Sequence, residues 1–314
     1  MSVLICGSLA YDTIMVFPDR FKNHILPEKI HMLSVSFMVP EMRREFGGCA
    51  GNIAYNLKML GGDPQIMATV GCDFFSYADR LDKLGIHRSS IKEVPDTFTG
   101  QCFLTTDLDD NQINAFHPGA MSFSHLNRVS DVPLPVRLAI VSPDGKQGMQ
   151  EHCEQLAEAG IPFIFDPGQG LPMFSKAELL HMISLASFLV LNDYELEMVL
   201  NTTGLSQEAL QNMAKVLIIT LGGEGSKIYT DGICHDIPAA MPGEVLDPTG
   251  CGDAYRGGLL YGMSLTWDWP VTGRLASLLG AIKIASRGGQ NHGISRDELA
   301  VRFKAEFGFA LPAS

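Results

Sequence analysis

One stretch constrains this chain more than any other: Asp247-Pro-Thr-Gly-Cys-Gly-Asp-Ala-Tyr-Arg-Gly-Gly258. Pro248 fixes φ, and Gly250 and Gly252 let the backbone bend so that successive N–H groups point one way. Leu259, Leu260 and Met263 predict a buried helix directly after the turn. Glycines at a helix start leave N–H donors unpaired at the positive end of the dipole, which makes the turn an anion site. A carboxylate beside such a site is a poor choice for binding alone, because it repels the anion. Asp253 suits a base that takes the proton of an attacking hydroxyl while the N–H groups hold charge developing on the transferred group. Taken alone, the stretch also fits a plain glycine-rich turn with Asp253 as a helix-start residue.

The rest of the chain is compatible with a large α/β enzyme. Its 314 residues can bury a substantial core, and 46% hydrophobic against 18% charged residues describes a globular protein, not a disordered one. A formal net charge of −12 argues against nucleic acid or an anionic membrane as partner. Apolar runs are too short and too broken to span a bilayer. Met1-Ser-Val-Leu-Ile-Cys-Gly7 reads as a first strand and not as a signal peptide, so a cytoplasmic protein is expected. Cys6, Cys49, Cys72, Cys102, Cys153, Cys234 and Cys251 form no C-x-x-C pair, which suggests reduced thiols and neither a zinc site nor a disulfide framework. The histidines show no metal-ligand spacing.

Strand and helix patterns alternate along the chain. Strands are expected at 3–7, 65–70, 137–141, 162–165, 188–191 and 216–220, with a hairpin at 226–236. Helices are expected at 53–60, 77–84, 148–159, 176–186 and 271–286. Such alternation predicts βαβ units and a mostly parallel sheet covered on both faces. Residues 13–16, 30–37, 101–106 and 112–116 read as short exposed strands standing apart from that series. No repeat or linker divides the chain, so a single domain over 1–314 is expected. Polar groups follow three of the strands, at Asp12, at Asp166-Pro-Gly-Gln-Gly170 and at Asn192-Asp-Tyr-Glu195; strand carboxyl ends are where open α/β sheets bind ligands. Asp166 is open between a plain turn and a group facing phosphates or a metal. Glu195 is open between a metal ligand and a helix-start cap.

The catalytic stretch resembles the signature of the ribokinase-like (phosphofructokinase-B type) carbohydrate kinases, with Cys251 standing where that family most often has Ala. The resemblance implies that Asp253 is the base and that Gly250, Cys251 and Gly252 form the anion hole, Cys251 through its backbone N–H. Phe46-Gly-Gly-Cys-Ala-Gly-Asn52 resembles the family's second signature, so Gly47, Gly48 and Asn52, with Asp12, are expected against the hydroxyls of a sugar. Asn192 and Glu195 resemble its Asn-x-x-Glu motif near Mg2+ and phosphates. Thr220, Gly222, Gly223, Gly225 and Thr249 are expected beside the nucleotide. The separate short strands resemble the family's lid, formed by parts of 13–45 and 100–118 and closing over substrate to exclude water.

The resemblance as a whole implies an ATP-dependent small-molecule kinase that uses Mg2+, with a monovalent cation as an open further requirement. No G-x-x-x-x-G-K-[ST] loop, dinucleotide fingerprint or protein-kinase motif set is present. The motifs around residues 46–56, 114–121 and 288–292 resemble the bacterial adenosine and purine-nucleoside kinase branch. There Phe116 and His117, with Phe37 and Met38, are open between an apolar lid surface that stacks a base and the lid's own small core. A free sugar such as ribose or fructose is the alternative acceptor, and a non-catalytic nucleotide-regulated sugar-binding protein is a remote one. The assembly is expected to be a monomer or homodimer.

Overall fold

Val3-Leu-Ile-Cys6 shows how the chain builds its layers. Val3 and Ile5 bury into one hydrophobic core and Leu4 and Cys6 into another. Period-two alternation produces this when a strand is covered on both faces. The computed structural model describes the chain apart from residues 1, 33, 110, 134 and 314.

The strands are β1 (Ser2–Cys6), β2 (Ala10–Val16), β3 (Glu41–Gly47), β4 (Asp63–Val70), β5 (Ile91–Glu93), β6 (Gly100–Thr106), β7 (Gln112–His117), β8 (Leu138–Val141), β9 (Phe163–Phe165), β10 (Phe188–Asn192), β11 (Val216–Thr220), β12 (Ser226–Thr230) and β13 (Ile233–Ile237). The helices are α1 (Cys49–Met59), α2 (Phe75–Leu84), α3 (Lys146–Glu158), α4 (Lys176–Leu185), α5 (Asp193–Thr203), α6 (Gln207–Met213), α7 (Cys251–Ser264), α8 (Trp269–Lys283) and α9 (Arg296–Phe307). Among the described residues a nine-stranded sheet runs β13-β12-β11-β10-β9-β8-β1-β4-β5. Its strands are parallel except for the hairpin at one edge, where β12 pairs antiparallel with β11 and with β13. Asp231 and Gly232 turn that hairpin with positive φ, as a tight turn between twisted strands requires.

The two faces of this sheet carry different helices. Residues of α1, α2, α7, α8 and α9 join the core of Val3 and Ile5, and residues of α3 to α6 join that of Leu4 and Cys6. Helices α7 and α8 lie close enough that a Cβ on Gly258 would stand 2.6 Å from the Ala276 Cα.

A separate four-stranded sheet has the order β3-β2-β6-β7. Its strands match the expected segments except for one. Residues 30–37 do not form a strand: Pro27–Met32 is a short 3-10 helix, 34–39 has no regular structure, and β2 pairs instead with Glu41–Gly47. Residue 33 of that expected segment lies outside the described residues. Phe37 explains the difference, because it packs with Phe17 and Phe21 in a local aromatic cluster instead of along a ladder. The true strand carries Phe46 on the face that meets Tyr11 and Tyr77.

Candidate active site

The parallel strands end along one edge, and a cleft of about 790 Å3 opens there. Asp253 reaches it from the first turn of α7, which Gly250 caps in the left-handed conformation at φ 78°. Among the described residues, the N–H groups of Gly250, Gly252 and Asp253 have no backbone or side-chain acceptor. The Cys251 N–H is different: it donates to Pro248 O at 3.1 Å. The expected contribution of Cys251 to an anion hole is therefore corrected, since the tight turn that positions the glycines consumes its donor. Burial pushes the Cys251 thiol up to about 11, so it stands neutral against the Asp247 carbonyl.

Asp253 accepts a hydrogen bond from Asn52 Nδ2 at 2.8 Å. Gln290 Nε2 donates both to Asn52 Oδ1 at 3.1 Å and to the Tyr77 hydroxyl at 2.7 Å. Tyr77 in turn donates to the Gly47 carbonyl at 2.8 Å. This chain fixes which end of the Asn52 amide faces the carboxylate. Gly289 is part of the arrangement, because a Cβ there would lie 2.4 Å from Asn52 Oδ1. Burial raises the Asp253 pKa to about 6, with the Asn52 hydrogen bond and the Arg256 charge pulling the other way. A carboxyl poised there can take a proton near neutral pH.

Asp12 enters from the small sheet. One row across that sheet runs Glu45, Asp12, Cys102, Phe116, and Asp12, Cys102 and Phe116 of it line the cleft. Alternation puts the next row, Phe46, Tyr11, Gln101 and His117, on the opposite face. His117 is thereby excluded from the cleft, contrary to expectation, while Phe116 is in it. Phe37 and Met38 are likewise absent from the lining, and Met38 is largely exposed. Gly47 makes room for Asp12, since a Cβ there would be 2.4 Å from the carboxylate. Burial, followed by the negative charges of Asp253, Glu45 and Asp247, raises the Asp12 pKa to about 6.

Gly48 lines the cleft beside Ser8 and Ala10, and Asn192, Glu195, Thr220, Gly222 and Thr249 line it as well. Asn192 and Glu195 form a reciprocal capping box: Asn192 Oδ1 accepts from Glu195 N at 2.7 Å, and Glu195 Oε2 accepts from Asn192 N at 2.8 Å. Burial, then the Asp166 charge, raises the Glu195 pKa. Gly223 is not in the lining, and Gly225 serves the fold instead: a Cβ on it would stand 2.1 Å from the Ile237 carbonyl.

Sequence reasoning missed Arg256 and Gln290 and left Asp166 undecided. Arg256 lies three residues after Asp253 and makes a two-pronged ion pair with Asp166, through Nε to Oδ2 and through Nη2 to Oδ1 at 2.6 Å. Its Nη1 also donates to the Gly252 carbonyl at 3.1 Å. Arg256 is 7% exposed and still lines the cleft beside the 247–252 turn. The stretch itself contained the signal, an arginine one helical turn after Asp253.

A model described as the pfkB family of carbohydrate kinases matches residues 10–296. The chain belongs to that family. Among solved structures, this pfkB-family kinase is similar to the Burkholderia thailandensis nucleoside kinase in complex with inosine. It shares 51% identity and a TM-score of 0.89 over 99% of this chain and 100% of that one. The same protein with ADP-inosine gives 52% identity and a TM-score of 0.88 over 99% and 98%. The nucleoside kinase of Methanocaldococcus jannaschii is 31% identical over 88% of this chain and 91% of its own length. The kinase has the ribokinase-like fold: a large, mostly parallel sheet between helices and a small separate sheet. No helix among its described residues is long and apolar enough to cross a membrane.

Proposed function

We propose that this kinase transfers the γ-phosphoryl group of ATP to the 5′-hydroxyl of a purine nucleoside, giving the 5′-monophosphate. The observation that carries the reading is one continuous cleft with three chemically distinct parts. Asp253, Gly250 and Gly252 line it, and the N–H groups of Gly250 and Gly252 are free. On one side Asp12 and Asn52 offer an acceptor for the ribose diol and an amide. Phe116, Met121, Pro143 and Met173 add apolar lining suited to a base, which a free sugar would leave uncovered. The inosine and ADP-inosine complexes of the Burkholderia relative support the same choice.

Asp253 takes the proton of the hydroxyl as it attacks, and the turn N–H groups receive charge on the transferred phosphoryl group. Arg256, held by Asp166, fixes the Gly252 carbonyl and so the outward direction of the turn. The small sheet acts as the lid, since it carries Asp12 and Phe116 over the substrate end. Among the described residues no group of three or more His, Cys, Asp or Glu suits a metal. Mg2+ takes few protein ligands when phosphates are present, and Glu195 at the nucleotide end fits that role beside its cap. Bound there, Mg2+ would neutralise phosphate charge. A panel of inosine, adenosine, guanosine, cytidine, ribose and fructose with ATP and Mg2+, followed by ADP release, tests the reading. Turnover of purine nucleosides well above that of the free sugars is expected; preference for ribose or fructose overturns it.

A further inference from the structure

Lys283 ends α8 and is 0% exposed, a rare position for an ammonium group. Its Nζ donates to the Asp247 carbonyl at 2.7 Å and to the Ser286 carbonyl at 3.1 Å. The Asp247 carboxylate Oδ2 stands 4.0 Å away. Three donors thus face three oxygens, two of them on the loop that enters the catalytic turn and one on the loop that leaves α8. The same two loops are stitched by backbone bonds. Leu246 N and Asp247 N both donate to the Ile284 carbonyl, and Gly288 N donates to Asp247 Oδ2 at 2.8 Å. Thr249 N donates to Asp247 Oδ1 at 2.9 Å, so the carboxylate reaches into the turn itself.

A cage of carbonyl and carboxylate oxygens at the negative end of a helix is a site for a hard cation. Here the chain fills it with its own side chain. We propose that the Lys283 ammonium is a fixed internal cation that sets the 247–252 turn, so that turnover requires no monovalent metal ion. Lys283 is a positioning residue: it acts through Asp247 on the N–H groups of Gly250 and Gly252 and touches no substrate. Its positive charge is also felt at Cys251 and Asp253. The inference rests on the kinase function proposed above, and its test includes a measurement that does not.

The wild type is assayed with ATP, Mg2+ and inosine in potassium, sodium or tetramethylammonium chloride at equal ionic strength. Rates should agree within about twofold, since the tethered ammonium is present at high effective concentration in every buffer. Lys283→Met keeps most of the apolar stem and removes the charge. Its kcat should fall about 100-fold, the scale of a small misplacement of catalytic groups, with the inosine KM changed much less. Potassium or ammonium ions should restore kcat at least tenfold, and tetramethylammonium, too large for the cage, should not. The same ions should raise the melting temperature of Lys283→Met and not that of the wild type. This last reading holds whatever the substrate, whereas a wild type inactive on every nucleoside would refute only the proposed function. Strong potassium activation of the wild type overturns the inference, and so does a folded variant with normal kcat. A folded, slow variant that no cation restores or stabilises overturns it as well, leaving Lys283 as a packing group.

Discussion

Gln290→Met tests whether the amide chain behind Asp253 orients the base. Gln290 Nε2 serves both Asn52 Oδ1 and the Tyr77 hydroxyl. Losing two neutral hydrogen bonds costs roughly 1 kcal/mol each, and an orphaned Asn52 oxygen adds about 1–3 kcal/mol. These sum to about 3–5 kcal/mol; methionine also removes the buried Gln290 Oε1, which has no partner, and relieves about 1–3 kcal/mol, so the net loss of stability should be about 2 kcal/mol. The larger effect is functional. Freed from Gln290, the Asn52 amide can turn its oxygen toward Asp253, and the carboxylate loses the donor that holds its pKa down. A hydrogen bond to a charged group is worth about 1.5–3 kcal/mol, which corresponds to a rise of about 1–2 pKa units. The assay is kcat/KM for inosine from pH 5 to 9, with a thermal melt to show that the variant folds. In the wild type the base works deprotonated, so activity should fall as pH drops through about 6, the value at Asp253. In the variant that acid limb should move to higher pH. A folded variant whose acid limb stays in place refutes the orienting role of Gln290.

The other predictions concern the residues proposed to act on substrate and the turn. Asp253→Asn should lower kcat by about two to four orders of magnitude with little change in nucleoside binding, and near-normal turnover in a folded variant would remove it as base. Asp12→Ala should impair ribonucleosides strongly and a 2′,3′-dideoxynucleoside much less, because only the former lose a hydroxyl acceptor; equal losses in kcat/KM would make Asp12 structural. Cys251→Ala should keep near-wild-type kcat, because the Cys251 N–H is spent on Pro248 and its thiol is neutral. Alkylation of Cys251 should inactivate by bulk and be slowed by ATP with nucleoside; collapse of activity in the Ala variant would show that sulfur takes part.

Local chemistry carried much of this protein in its sequence. Glycines, a proline and an aspartate in the 247–258 stretch dictate a turn and a helix start wherever they occur, so the turn and the place of Asp253 at the head of α7 were legible without coordinates. The parallel sheet was legible too, because strands such as Val3–Cys6 bury both faces and read as apolar runs. The strand at Glu41–Gly47 escaped notice because it is a polar edge strand, while the more apolar 30–37 segment spends Phe37 on an aromatic cluster. Alternation across β7 separated Phe116 from His117, and only the register of the small sheet could say which faced the cleft. The partners of the site lie far apart in the chain: 201 residues between Asn52 and Asp253, 238 between Gln290 and Asn52, and 90 between Asp166 and Arg256. A single chain pattern specifies its own turns and helix starts through neighbours within a few positions. Which amide meets which carboxylate, and which carbonyls enclose the Lys283 ammonium, depends on how the helices and the loops around α7 and α8 pack, and that was decided by the tertiary structure.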